Sequence, residues 1–385
     1  MVGVLGLLAS SLVVALPQVA TANNGPEYAF GPAGTGCICP AHGGLQAVVG
    51  VDTNDAWAFG YRMPGGGAKN LRVLAEHWNG ILWQVIPTPP PVSPHAGRAL
   101  FGAAALAWNN VWAVGTRVTN ANGADILIEH WNGHRFSVAS TPDDKERGGW
   151  NRVLDAAFAV SANDVWAVGQ QAPYATNNWE PLILHWNGSR WNSFTAENLE
   201  SEYSALTAIS GSGPNNLWAV GKRTGGAGTF AEHYNGSTWR VIPTPPSDGE
   251  ALYGVTSLSS SDSWAVGPTG FNAVSHWNGW QWKTFESPTP QTVGAMRGID
   301  SRGPDDIWAV GALNGQQAIL ENWNGEQWTL YPSPLIRNKN PVLYGVAIVS
   351  SDDAWAVGGV SANGNPAGGL IEHWNGVTWR AIVRP

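Results

Sequence analysis

Seven residues occupy the same place in a pattern that the chain writes seven times. Gln46, Phe101, Asp155, Thr207, Tyr253, Arg297 and Tyr344 each follow a Leu or Met and precede an Ala or Gly. One carboxylate, one guanidinium, an amide, a hydroxyl and three aromatics on equivalent positions make a plausible small-ligand site if the fold brings them to one mouth. Catalysis has a narrower footing. Asp155 beside Tyr253, Arg297 and Tyr344 could abstract a proton, whereas glycoside hydrolysis usually needs two carboxylates. Glu146, Glu200 and Glu202 are the acids that could supply a second. No nucleophile–base–orienter signature appears, so no catalytic residue is assigned. Filling the channel with packing and water is the bland alternative for the ring.

Three further aromatics stand outside the repeat. Trp150, Trp179 and Tyr174 fall in variable loops, Arg147 near the first, and such rings suit stacking on a sugar face. The alternative is that they cap long loops by packing. Trp108 and Trp280, in or beside short turns, read as edge packing.

The elements that must position these residues follow from the repeat. An Asp or Asn two residues ahead leads into Trp-Ala-Val-Gly or a near copy, with Trp at 57, 112, 166, 218, 264, 308 and 355. A His-Trp-Asn-Gly-like signature follows at 78, 131, 186, 234, 277, 323 and 374, and five residues later comes another aromatic, at 83, 136, 191, 239, 282, 328 and 379. Each unit parses into four strands, in the last copy 343–349, 354–358, 370–374 and 377–383. Asn375-Gly376 predicts a two-residue type I′ turn, with both residues at positive φ. In that register Trp374 pairs with Val377 and Glu372 with Trp379, and both aromatics share a face. One sheet with a greasy face is unstable alone, and seven arranged radially bury those faces. The expectation is an all-β, seven-bladed β-propeller with four antiparallel strands per blade. Its blades run over 45–87, 100–140, 154–195, 206–243, 252–287, 296–332 and 343–383, within a domain over 45–385. Small residues on the innermost strand let seven strands crowd the axis. No strand is left over for exchange between first and last blades, so closure should rest on face-to-face packing unless 28–30 adds a strand.

Asp353, the segment 355–359, Trp374 and Trp379 resemble the kelch repeat, and the resemblance runs from 45 to 383. It departs in two respects: only Gly358-Gly359 is a doubled glycine, and the aromatic spacing is five where kelch usually has six. The pattern is also similar to Trp-rich repeats of exported bacterial proteins. Kelch propellers include the galactose-oxidase type, whose copper site needs a Cys–Tyr crosslink. This chain has no Cys after position 39, so the resemblance implies fold and no cofactor or metal.

His77, His130, His185, His233, His276 and His373 recur in six blades with Asn322 in the seventh. Six copies argue for a structural role, predicted to be hydrogen bonding between neighbouring blades. Glu76, Glu129, Glu232, Glu321 and Glu372 read as scaffold too. Asn187-Gly188-Ser189 and Asn235-Gly236-Ser237 match a glycosylation sequon within hairpin turns.

Composition bounds the rest. Of 385 residues only 12% are charged, with 48 Gly, 26 Pro and 23 Trp, which favours short strands and turns. Net charge is −8 with five lysines, so nucleic acid and anionic membranes are not expected partners. Residues 2–16 are almost wholly apolar and Ala20-Thr21-Ala22 offers a cleavage site, so 1–22 reads as a signal peptide despite lacking a leading Lys or Arg. No membrane span is expected in the mature chain, whose location would be secreted or cell-surface. Segment 23–44 holds Cys37 and Cys39, too close for an unstrained mutual bridge and available to join two chains through a disulfide. Turns between first and second strands, and third and fourth, are uniform. Loops between second and third strands, and crossovers such as 87–98, 141–152 and 195–204, vary. Those lie on one rim, where binding usually resides. The reading is an exported, non-enzymatic binding propeller that recognises a polysaccharide or protein surface by that face; the rival is a glycan-active hydrolase or lyase at the axial mouth.

Overall fold

A computed structural model of the chain describes residues 43–64, 70–91, 96–118, 123–142, 149–173, 178–196, 203–223, 228–246, 251–268, 273–289, 294–313, 317–362 and 365–384. It contains seven sheets, each of four strands hydrogen-bonded in chain order. Each blade is an antiparallel meander. In blade 1 the strands are Gly43–Asp52, Asp55–Arg62, Arg72–Trp78 and Trp83–Val85, and in blade 7 Asn340–Ser350, Asp353–Ala362, Asn365–Trp374 and Trp379–Arg384. Every innermost strand contacts the innermost strands of its two neighbours, Gly43–Asp52 against Asn340–Ser350 included.

The recurring aromatics explain the ring. Trp57 of blade 1 is 1% exposed and meets Trp131 at 5.0 Å and Phe136 at 5.5 Å, both in blade 2. The same hand-on runs blade by blade: Trp112 on Trp186 and Trp191, Trp166 on Tyr234 and Trp239, Trp218 on Trp277 and Trp282, Trp264 on Trp323 and Trp328, Trp308 on Trp374 and Trp379. Trp355 completes it by meeting Trp78 at 5.0 Å and Trp83 at 5.1 Å, so packing joins blade 7 to blade 1. No strand is exchanged between them among the described residues.

Three expectations need correction. The histidine bonds stay within a blade. His77 Nε2 lies 2.8 Å from Asp55 Oδ1, and His130, His185, His233, His276 and His373 sit likewise on Asn110, Asp164, Asn216, Asp262 and Asp353. Each ring also stacks on its own blade's Trp, as His77 does on Trp57 at 4.3 Å. The acidic or amide residue two before the Trp is therefore the acceptor that fixes the imidazole against the indole. Asn322 takes the same place by donating to Asp306 at 3.3 Å.

The Asn-Gly turns are not type I′. Gly80, Gly133, Gly188, Gly236, Gly279, Gly325 and Gly376 have positive φ, but the preceding Asn residues do not. Instead the Asn side chain accepts two backbone N–H groups, for Asn375 those of Val377 at 3.2 Å and Thr378 at 2.9 Å. This Asx turn needs a four-residue loop. Trp374 consequently pairs with Trp379 and Glu372 with Ala381. The aromatics share a face as expected, but directly opposite each other, with ring centres 5.9 Å apart. Trp280, finally, is 85% exposed and not packed at an edge, whereas Trp108, 60% exposed, lays its ring over Gly133 of the adjoining hairpin.

The five glutamates lie in the blade interior. Glu129, Glu232, Glu321 and Glu372 are 0% exposed. Glu321 accepts from the Thr289 backbone N–H at 3.0 Å, from the Thr289 hydroxyl, and from Ser287 at 2.8 Å, pinning the crossover from blade 5 onto blade 6. Ser333 donates to Glu372 at 3.1 Å between blades 6 and 7. Cys37, Cys39, residues 1–42 generally, Glu146, Arg147, Tyr174, Glu200 and Glu202 lie outside the described residues.

Candidate functional site: the axial mouth

The glycine that ends Trp-Ala-Val-Gly sets up the ring. In six blades the residue between the recurring Leu or Met and the small residue has no partner in the ladder. Leu45 pairs with Gly60 and Ala47 with Phe59, leaving Gln46 as the extra residue of a β-bulge. Phe101, Asp155, Thr207, Arg297 and Tyr344 are skipped in the same way. Tyr253 just precedes its strand, and its N–H joins Gly254 in facing Val266, at 2.7 Å. A bulge re-aims a side chain. It also pushes a carbonyl toward the facing glycine: a Cβ on Gly311 would fall 2.1 Å from the Ala295 oxygen, and one on Gly60 2.0 Å from that of Gly44. Gly311→Ala is expected to destabilise the protein by about 1–3 kcal/mol, the usual cost of overpacking, and to shift Arg297. Thermal melting with tryptophan fluorescence checks the first effect.

Small residues one place further on let the inner strands converge. A Cβ on Gly298 would lie 2.9 Å from the Gly345 Cα, and one on Gly102 2.5 Å from the Ala156 Cα. The re-aimed side chains of consecutive blades then meet. The Arg297 guanidinium lies 5.2 Å from the centre of the Tyr253 ring and 5.7 Å from that of Tyr344, so blades 5, 6 and 7 contribute one group each. Phe101 meets Tyr61 edge-on at 6.2 Å. Burial pushes the Asp155 carboxyl up to about 7, with the Lys222 ammonium opposing the shift. Thr207 is turned away from this role, its hydroxyl within 3.0 Å of the Val220 carbonyl and also reaching that of Leu252. Gln46 is buried at 9% exposure.

Three of these groups carry a buried polar atom without a partner among the described residues. No hydrogen-bond partner among the described residues reaches the buried Nε of Arg297, the Oδ2 of Asp155 or the hydroxyl of Tyr61. Native proteins pair the large majority of buried polar atoms. The core indole nitrogens such as Trp57 Nε1 and Trp355 Nε1 share this state, and what sets the three apart is their place on the bulged positions or just after the repeat glycine. Tyr61 and Lys222 were not among the predicted residues. Both follow the repeat glycine, at a position that reads Tyr61, Thr116, Gln170, Lys222, Pro268, Ala312 and Gly359. That variability was the available signal. Tyr203 supports this second tier, donating to Gln170 at 3.1 Å while Lys222 sits 4.9 Å from its ring centre.

The loop aromatics fare differently from the ring. Trp179 is 6% exposed, so it packs within the fold and offers no face for stacking. Trp150 is half-buried and begins the innermost strand of blade 3, opposite Pro173. An open groove on the outer edge, lined by Pro243, Thr244, Pro245, Gln281 and Lys283, is built from crossover and hairpin and gathers no comparable set of ring residues. Among the described residues no cluster of three metal-ligating side chains occurs, and no helix is long and apolar enough to cross a membrane.

The chain is a seven-bladed β-propeller. No protein-family model matches it, and no curated protein matches its sequence. It is similar in structure to YCF48 bound to D1 peptide, at 13% identity, with 87% of this chain and 92% of that one covered and a TM-score of 0.54. YCF48 from Cyanidioschyzon merolae gives 13% identity, 88% and 97% coverage and the same TM-score of 0.54. The fucose-specific lectin from Aleuria aurantia aligns at 11% identity over 76% of this chain and 97% of that one, with a TM-score of 0.49. At such identities the two YCF48 likenesses show the fold alone.

Proposed function

We propose that this propeller is a non-enzymatic binding protein that takes a carbohydrate or protein segment on its variable-loop face, centred on the axial mouth. The observation that carries the reading is the contrast between scaffold and ring. Seven blades repeat the same aromatic, histidine and turn contacts almost without change, yet the residue between the recurring Leu or Met and the small residue differs in every blade but the two that carry Tyr253 and Tyr344. A scaffold that needed only to close would place small apolar residues there. Variety at one position of an otherwise uniform, rigid frame is typical of recognition surfaces. The kelch-like grouping rests on the Asp–Trp–Gly–Trp pattern. Export to the cell exterior rests on the apolar run over 2–16 and the cleavage pattern at 20–22, and pairing of two chains through Cys37 or Cys39 would follow from that location.

An array of glycans and peptides probed with the intact protein tests the reading. Tyr344→Ala is expected to weaken the captured ligand at least about tenfold, within the range of interfacial hot spots, while Trp280→Ala on the opposite face leaves it unchanged. Equal binding by both variants would remove the axial mouth from consideration. Asp155, at about 7, is also the feature that a glycan-active enzyme would use. Turnover of any arrayed glycan that disappears in Asp155→Asn would establish that second reading.

A further inference from the structure

We propose, on the strength of that binding reading, that the axial mouth is a receptor for a single sugar carboxylate: Arg297 takes the carboxylate of a hexuronate unit, and Asp155 and Tyr61 take its hydroxyls. Arg297 carries a planar fork of donors suited to a carboxylate, held by the faces of Tyr253 and Tyr344. Its Nε is buried without an acceptor, and no described carboxylate pairs with it. The Tyr61 hydroxyl is the second unpartnered group, in a side chain 1% exposed, and its ring packs against Phe101. Asp155 supplies the third through Oδ2.

Together these ask for a molecule with one planar anion, hydroxyls to meet an acceptor and a phenol, and an apolar ring face to lie against Tyr and Phe. A uronic acid ring has all three. An amino acid or peptide terminus matches less well. Burial raises the Asp155 carboxyl and the Lys222 ammonium already favours its ionised form, so a second ammonium gains little there where a hydroxyl pairs with either form. The same fork also takes phosphate and sulfate esters, so methyl glucoside 6-phosphate and 6-sulfate belong among the comparators, and tighter binding of either than of both uronides would overturn the assignment. The net charge of −8 also opposes a densely anionic chain, which favours an occasional uronate within an otherwise neutral glycan.

Calorimetric titration of the full chain with methyl glucuronide and methyl galacturonide tests this, against the methyl glucoside and methyl galactoside as neutral comparators. At least one uronide is expected to bind roughly tenfold or more tightly than its neutral partner, the contribution of a charge-assisted pair. Arg297→Gln should abolish that preference and Arg297→Lys restore part of it, with melting temperatures recorded for each. Asp155→Asn and Tyr61→Phe should weaken uronide and neutral sugar alike. Equal affinity for uronide and neutral sugar, a preference that survives Arg297→Gln, or tighter binding of a peptide with a free C-terminal carboxylate would overturn the assignment. Neutral-glycan binding that is lost in Tyr344→Ala but indifferent to Arg297 would sink the carboxylate receptor and leave the binding face standing. Indifference of every ligand to all ring substitutions would remove both.

Discussion

Trp355→Ala is expected to cost about 3–5 kcal/mol, as truncation of a fully buried Trp usually does, and to lower the melting temperature by roughly 10 °C. Trp355 is 1% exposed and is the ring that blade 7 presents to Trp78 and Trp83 of blade 1. At every other interface a crossover segment ties the two blades covalently. At this seam no crossover does so among the described residues, and the core there also includes Leu45, Val48, Ala347, Val357 and Ile371. The same truncation at Trp166, which is tethered on both sides, should remove a comparable amount of buried surface. Hydrogen exchange in Gly43–Asp52 should therefore rise more in Trp355→Ala than in Trp166→Ala when both are held at equal distance from their melting points. Equal exchange in that strand would show that the seam is no weaker than a tethered interface. Trp280→Ala, 85% exposed, should stay within about 0.5 kcal/mol of the parent.

Stability should fall as pH rises from about 5 to 8. Burial pushes Glu372 and Asp155 up to about 7 and Asp300 up to about 6, and raises Glu321 as well. Their unfolded values lie near 4. Between those limits the folded chain holds protons that the unfolded chain has released, so stability is fully present below about pH 4 for these groups and is lost as pH climbs through their folded values. Glu129 is pushed up to about 7 as well, but Arg98 lies 3.0 Å away and favours its ionised form, so Glu372, whose one described partner is Ser333, is the cleaner example. A single group raised from 4.5 to about 7 corresponds to roughly 3 kcal/mol across the window, and a fall of about 5 °C or more in melting temperature is expected. His130 and His233, held below the usual imidazole range by burial, act in the other direction: their contribution is lost as pH falls below about 6.5. An optimum near pH 5 results. Glu372→Gln should flatten the alkaline limb. A melting temperature that climbs steadily from pH 5 to 8 would contradict the whole scheme.

The legible and illegible parts of this protein separate by range. Spacing among Trp57, Trp78 and Trp83 and their six counterparts was enough to count blades and assign core, because burying those rings is the same problem seven times. Turn chemistry was less readable. Asn375-Gly376 signals a hairpin, but whether Asn takes positive φ or caps the loop with its side chain is a contest between two local hydrogen-bond patterns, and the second wins here by satisfying Val377 and Thr378. The histidine partner was misplaced for a related reason. Asp55 lies 22 residues from His77, and only the strand register shows that they sit side by side.

What the amino-acid order determined by itself was the repeated unit, its four strands, its small inner residues and the identity of the seven odd side chains. Those follow from local periodicity and from which rings cannot remain in water. The tertiary structure alone decided that a bulge opposite the repeat glycine re-aims the odd residue in six of the blades, that Arg297 lies between two tyrosines from flanking blades, and that Asp155 Oδ2 and the Tyr61 hydroxyl are left without partners among the described residues. Blades far apart in the chain come together only when the ring closes, so no stretch of sequence holds that information.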